Sequence, residues 1–101
     1  MIELHLRGRV TVGRRADYVE FLRGAIPYYE GPGGIQISLL WSVADPDEFI
    51  EVVRYADQAT HDRDQIRVDK DPTMQEYLRR WRELLAGPPD VKTYLVDELS
   101  T

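Results

Sequence analysis

The chain has 101 residues, a formal charge of −5 and no cysteine. That length fits one domain spanning residues 1–101, and its acidic balance argues against nucleic-acid or anionic-membrane binding, which needs a basic patch. The lack of cysteine excludes a disulfide framework, a thiolate nucleophile and a thiolate metal site, and suits a reducing cytoplasm.

Met1-Ile2-Glu3 leads straight into strand-like sequence, so no signal peptide is expected. No apolar run approaches the ~20 residues that cross a bilayer. Residues 2–12 alternate, with Ile2, Leu4, Leu6, Val10 and Val12 on one face, which predicts a strand. Over residues 14–29 the period changes to helical: Val19, Leu22, Ile26 and Tyr29 form an apolar stripe widened by Tyr18, Phe21 and Ala25. Pro27 predicts an irregular last turn, and Gly31-Pro32-Gly33-Gly34 a break. Residues 35–43 alternate again as a second strand, and Ala44-Asp45-Pro46-Asp47 is short enough for a hairpin into a third over 48–56. That third strand carries Phe49, Val53 and Tyr55 on one face and Ile50, Val52 and Ala56 on the other.

Asp57 is placed to cap a helix over 58–70 that is mostly charged, with a thin apolar face of Ala59 and Ile66. Asp71-Pro72 starts another helix, a capping carboxylate followed by proline at the first helical position. Met74, Tyr77, Leu78, Trp81, Leu84 and Leu85 then give the strongest periodic signal in the chain, until Gly87-Pro88-Pro89 stops it. Residues 91–96 read as a last strand.

The order strand–helix–strand–strand–helices–strand predicts an α+β, ferredoxin-like βαββαβ fold, a four-stranded antiparallel sheet with helices on one face. Ile50, Val52 and Ala56 then lie on a face that no helix covers. Exposing apolar side chains forgoes roughly 1.5–3 kcal/mol each, so a twofold contact with a second copy, a homodimer, is the expected cover.

Three stretches resemble the dimeric α/β-barrel superfamily, the group holding antibiotic-biosynthesis-monooxygenase-like and NIPSNAP-like domains. Pro32-Gly33-Gly34-Ile35 is similar to a Pro-Gly turn into the second strand, and Asp45 to Val52 resembles the hairpin into the third. Arg63 to Arg67 followed by Asp71-Pro72-Thr73-Met74 resembles the NIPSNAP-like arginine-rich helix and Asp-Pro start. The resemblance implies a dimeric α/β barrel and a small-molecule-binding enzyme similar to cofactor-independent monooxygenases, needing no cofactor and taking a small aromatic or enolic ligand. It also implies a histidine in the helix after the third strand; His61 is nearby, while Asp64 stands closer to the matched position.

Candidate ligand-binding residues are Arg63, Trp41, Tyr55 and His61. Arg63 falls close to Ala59 and Ile66 around the helix, so it is expected to point inward, either to an anionic group of a ligand or into an intramolecular salt bridge. His61 lies opposite those residues and is read as an exposed or edge histidine, the alternatives being a general base or a metal ligand. Trp41 and Tyr55 either fill the core or shape the wall of an apolar pocket. Arg7 and Arg9 are expected to pair with Glu51 or to be solvated. Two histidines on different elements, without a third ligand at motif spacing, predict no metal site. The alternative to an enzyme is a non-catalytic homodimeric interaction or scaffold domain. A closed, polar-lined cavity above roughly 300 Å³ favours the enzyme, and a solid core favours the scaffold.

Overall fold

A computed structural model describes residues 1–100. The elements run β1 (Ile2–Arg9), α1 (Arg15–Glu30), β2 (Ile35–Trp41), β3 (Glu48–Tyr55), α2 (Gln58–Lys70), α3 (Pro72–Glu83) and β4 (Asp90–Leu95). The four strands pair antiparallel in the order β2-β3-β1-β4, the expected ferredoxin-like sheet. Among the described residues no helix is long and apolar enough to cross a membrane.

Register decides which side chains share a face. Leu4 pairs with Val53, Leu6 with Glu51 and Gly8 with Phe49; across β3, Ile35 pairs with Tyr55 and Trp41 with Phe49. This face lies under the helices. A methyl group at Gly8 would meet the Phe49 ring at 3.3 Å, so this position keeps the bulky ring flat against the sheet. β1 is shorter than its alternation predicts: Val10 makes only an isolated bridge to Leu85, and Val12 is exposed. β2 also ends early, because Ser42 and Asp45 turn the chain. The Ser42 amide donates to Glu48 O, and Ser42 Oγ accepts from the Asp45 amide.

α1 buries Tyr18, Leu22, Ala25 and Tyr29, a stripe rotated from the one centred on Val19 and Ile26. It continues through Pro27 to Glu30 rather than breaking up. Its final carbonyls are gripped from outside: Arg67 of α2 donates to Tyr28 O at 2.9 Å and to Tyr29 O at 2.6 Å. A cation at a helix C-terminus also opposes the negative end of the helix dipole.

The Asp57 and Asp71 caps form as expected, accepting from the Thr60 and Thr73 amides at 2.8 and 3.1 Å. α2 faces inward differently from its apolar pattern. Ala59 is exposed and Ile66 is 58% exposed, whereas Thr60 and Asp64 are buried. Arg7 and Arg9 do not pair with Glu51; they make exposed ion pairs with Glu48 and Asp45.

Candidate functional site

Because α2 turns short or polar side chains toward the sheet, it does not fill the space below it. Two buried clusters flank that space. One, with Tyr18, Leu22, Phe49 and Trp81, lies under α1 and α3; the other is Ile2, Ile35, Val53 and Tyr55. Between them is a cavity of about 340 Å³. Its floor is Leu4 and Leu6 of β1, Ile35 and Ile37 of β2, and Glu51, Val53 and Tyr55 of β3. Asp64, Arg67 and Val68 of α2 form one wall, Met74, Leu78 and Trp81 of α3 another, and Tyr29 of α1 closes the depth. The rim carries Arg82 and Val91, both exposed.

The walls are mainly apolar, so the few polar groups stand out. Glu51 is 4% exposed and lies among apolar neighbours. Burial raises its carboxyl to about 7, against a hydrogen bond from Tyr18 that favours the charged form. That bond, Tyr18 Oη to Glu51 Oε1 at 2.9 Å, is backed by Trp81 Nε1 donating to Tyr18 Oη at 3.0 Å. Burial first, and then the Glu51 charge, push the Tyr18 phenol upward, so it stays a donor. A carboxyl brought near neutral pH by burial and oriented by a fixed donor chain can take and return a proton under cellular conditions.

A second polar group closes the α2 side. Tyr55 donates to Asp64 Oδ2 at 2.6 Å, and Arg67 Nε donates to Asp64 Oδ1 at 3.0 Å. With the two Tyr28 and Tyr29 carbonyls, this ties β3, α2 and the end of α1 together. Tyr29 Oη is buried and, among the described residues, is the buried side-chain polar atom with no hydrogen-bond partner.

Of the four candidates from sequence, the structure brings only Tyr55 to the cavity. Arg63 is exposed rather than inward, and its guanidinium reaches Thr60 Oγ1 at 3.4 Å, beside a separate depression of about 110 Å³. Four residues further along, Arg67 takes the inward position, because the buried face of α2 is centred on Thr60 and Asp64. His61 is half-buried, with its ring edge-on to Tyr55 at 5.1 Å and its Nδ1 3.0 Å from Asp62, outside the cavity lining. Trp41 packs against Tyr18 and Phe49 near the other end of the sheet, beneath the Arg15 guanidinium at 4.3 Å. Sequence reasoning missed Glu51, Tyr29 and Arg67. The signal for Glu51 was its parity with Phe49, Val53 and Tyr55 on an alternating strand. Among the described residues no group of three or more His, Asp or Glu is arranged to hold a metal ion.

No family model matches the chain, and no curated protein does. Solved structures do match it over nearly its full length. A candidate antibiotic biosynthesis monooxygenase from Bordetella bronchiseptica superposes with a TM-score of 0.80 at 22% identity, covering 96% of this chain and 97% of its own. A protein of the same description from Deinococcus radiodurans gives 0.77 at 11% identity, covering 100% and 97%. A NIPSNAP family protein from Agrobacterium tumefaciens gives 0.73 at 17% identity, covering 98% and 88%. The chain has the fold these proteins share. At such identities a ferredoxin-like scaffold is what the likeness establishes; one scaffold carries many chemistries, so function has to come from the cavity.

Proposed function

We propose that this ferredoxin-like protein binds a small aromatic or enolic compound between its helices and sheet and oxidises it as a cofactor-independent, monooxygenase-like enzyme, with Glu51 as general base. The observation that carries this reading is the buried carboxyl at the floor of an apolar cavity of about 340 Å³, raised to about 7. In the proposed reaction Glu51 takes a proton from a phenolic O–H or from a C–H beside a carbonyl, leaving a phenolate or enolate, hereafter the enolate. The enolate passes one electron to dioxygen, and the radical pair joins carbon to oxygen. The peroxide anion recovers the proton from Glu51. Where the oxygenated carbon still bears a hydrogen, loss of water from the hydroperoxide leaves a new carbonyl, so one oxygen atom enters the product and the other leaves as water. Tyr55, held by Asp64, shapes one wall; the apolar floor keeps water from the enolate.

The cavity meets the expected size, which supports this reading over a scaffold domain with a solid core, although its lining is mainly apolar and its rim open rather than closed and polar. We further propose that the working unit is a homodimer joined through the helix-free face of the sheet. Leu40, Ile50 and Tyr94 share that face by register, Leu40 and Tyr94 being 52% and 45% exposed, whereas Val52, expected to need the same cover, is only 4% exposed, already buried by its neighbours within the chain.

The test is oxygen uptake by purified protein with a panel of polycyclic phenols and enolisable aromatic ketones, alongside ligand affinity. Glu51→Gln should lower kcat by about 10²–10⁴ while leaving Kd within a few-fold. If no compound on the panel binds or is oxidised, the proposal fails.

A further inference from the structure

The chain buries three tyrosines beside this site, and two of their hydroxyls are committed. Tyr18 donates to Glu51 at 2.9 Å and Tyr55 to Asp64 at 2.6 Å. Tyr29 is 7% exposed, lines the same cavity as Glu51, and its hydroxyl has no partner. Its position is fixed rather than adaptable: Arg67 holds its backbone carbonyl at 2.6 Å, and its ring sits edge-on to Tyr77 at 5.7 Å. Buried hydroxyls are almost always hydrogen-bonded, so a rigid unpaired donor in a cavity implies that the cavity's occupant supplies the acceptor.

We infer that the Tyr29 hydroxyl donates to an oxygen of the substrate, and that the substrate is a carbonyl compound whose acidic proton lies within reach of Glu51, such as a hydroxyaryl ketone or a 1,3-dicarbonyl. This rests on the assignment of the cavity as the reaction site. When Glu51 removes the proton, negative charge gathers on the carbonyl oxygen, and the Tyr29 hydrogen bond strengthens as it does. Burial and the Glu51 charge push the Tyr29 phenol well above its ordinary range, so it remains protonated and able to donate. A plain phenol commits its single oxygen, which carries the acidic proton, to Glu51 and has no second oxygen to accept from Tyr29.

Isothermal titration of wild type and Tyr29→Phe with 2-acetyl-1-naphthol and with 1-naphthol tests this. Tyr29→Phe should weaken 2-acetyl-1-naphthol by roughly threefold to tenfold, the worth of one neutral hydrogen bond, and leave 1-naphthol within about twofold. The variant should melt no lower than wild type, because the hydroxyl satisfies no protein group. Equal affinity of both proteins for 2-acetyl-1-naphthol overturns the inference while the cavity reading stands. So does a clear drop in melting temperature, which would reveal a structural partner for the hydroxyl. If neither naphthol binds wild type, both readings are overturned. If Glu51→Gln oxidises substrates as fast as wild type but Tyr29→Phe discriminates the probes as stated, the general base is wrong and the Tyr29 donor is supported.

Discussion

Glu51 should make this protein less stable as pH rises through neutrality, the opposite of the usual carboxylate. Its ordinary value of 4.5 applies to the unfolded chain, and burial raises it to about 7 in the fold. Between those values the folded state holds a proton that the unfolded state has released. The unfolded state therefore binds fewer protons, and stability falls with increasing pH across that window. Below it both states are protonated, and above it both are ionised, so the loss is complete just past pH 7. The difference corresponds to about 3 kcal/mol, a large fraction of the 5–15 kcal/mol typical of a domain. Glu51→Gln keeps an oxygen for the Tyr18 hydroxyl and carries no charge to bury. Urea denaturation from pH 4 to pH 9 should therefore show the variant level with wild type at the acid end and more stable by up to about 3 kcal/mol at the alkaline end. The lowered carboxyls of Glu3, Asp57 and Asp71 titrate below this window and are common to both proteins, so the difference isolates Glu51. Parallel pH profiles for the two proteins would refute a raised carboxyl and remove the basis for a general base at this position.

Arg67→Ala strands the buried Asp64 carboxylate and frees two carbonyls of α1, so it should cost about 3–5 kcal/mol in chemical denaturation. Arg63→Ala, at an exposed site on the same helix, should stay within about 0.5 kcal/mol. Asp71→Ala removes the α3 cap and the acceptor of the Tyr28 hydroxyl, and should lower stability by about 0.5–2 kcal/mol; Tyr28→Phe should account for only part of that loss by thermal denaturation. Sedimentation at micromolar concentration should give twice the monomer mass of 11.7 kDa, and Ile50→Lys on the helix-free face should shift it toward the monomer. A wild-type monomer at that concentration would remove the dimer.

The fold was legible because its strands and α3 follow simple periods. Ile2, Leu4 and Leu6 alternate toward the helices, and Met74, Leu78 and Trp81 recur on one face, because both sets pack against a continuous apolar core. Asp57 and Asp71 announced helix starts by a local mechanism that needs no tertiary context. The site was harder to read because it breaks the rule that made the fold readable. Ala59 and Ile66 are the apolar residues of α2, yet they face solvent, while Thr60, Asp64 and Arg67 face inward and satisfy one another and the end of α1. Periodicity finds apolar faces; it misses a helix whose inner face is polar and internally paired. Glu51 shows the same conflict within a strand: its parity places it inside while its charge suggests outside. Tyr29 was visible as a core residue, but only the geometry reveals that its hydroxyl is left over.

The two tryptophans are placed so that their light carries different information. Trp81 forms part of the cavity wall and its indole N–H feeds the Tyr18–Glu51 chain, whereas Trp41 lies away from the cavity beneath Arg15. Ionisation of Glu51 or arrival of an aromatic guest acts directly on the field and contacts of Trp81, and reaches Trp41 only through the Tyr18 ring packed against it. With Trp41→Phe, the emission of the remaining fluorophore becomes a direct record of what occupies the cavity and of the charge at its floor. The protein thus carries its own optical probe for testing the proposed binding and proton transfer in the cavity.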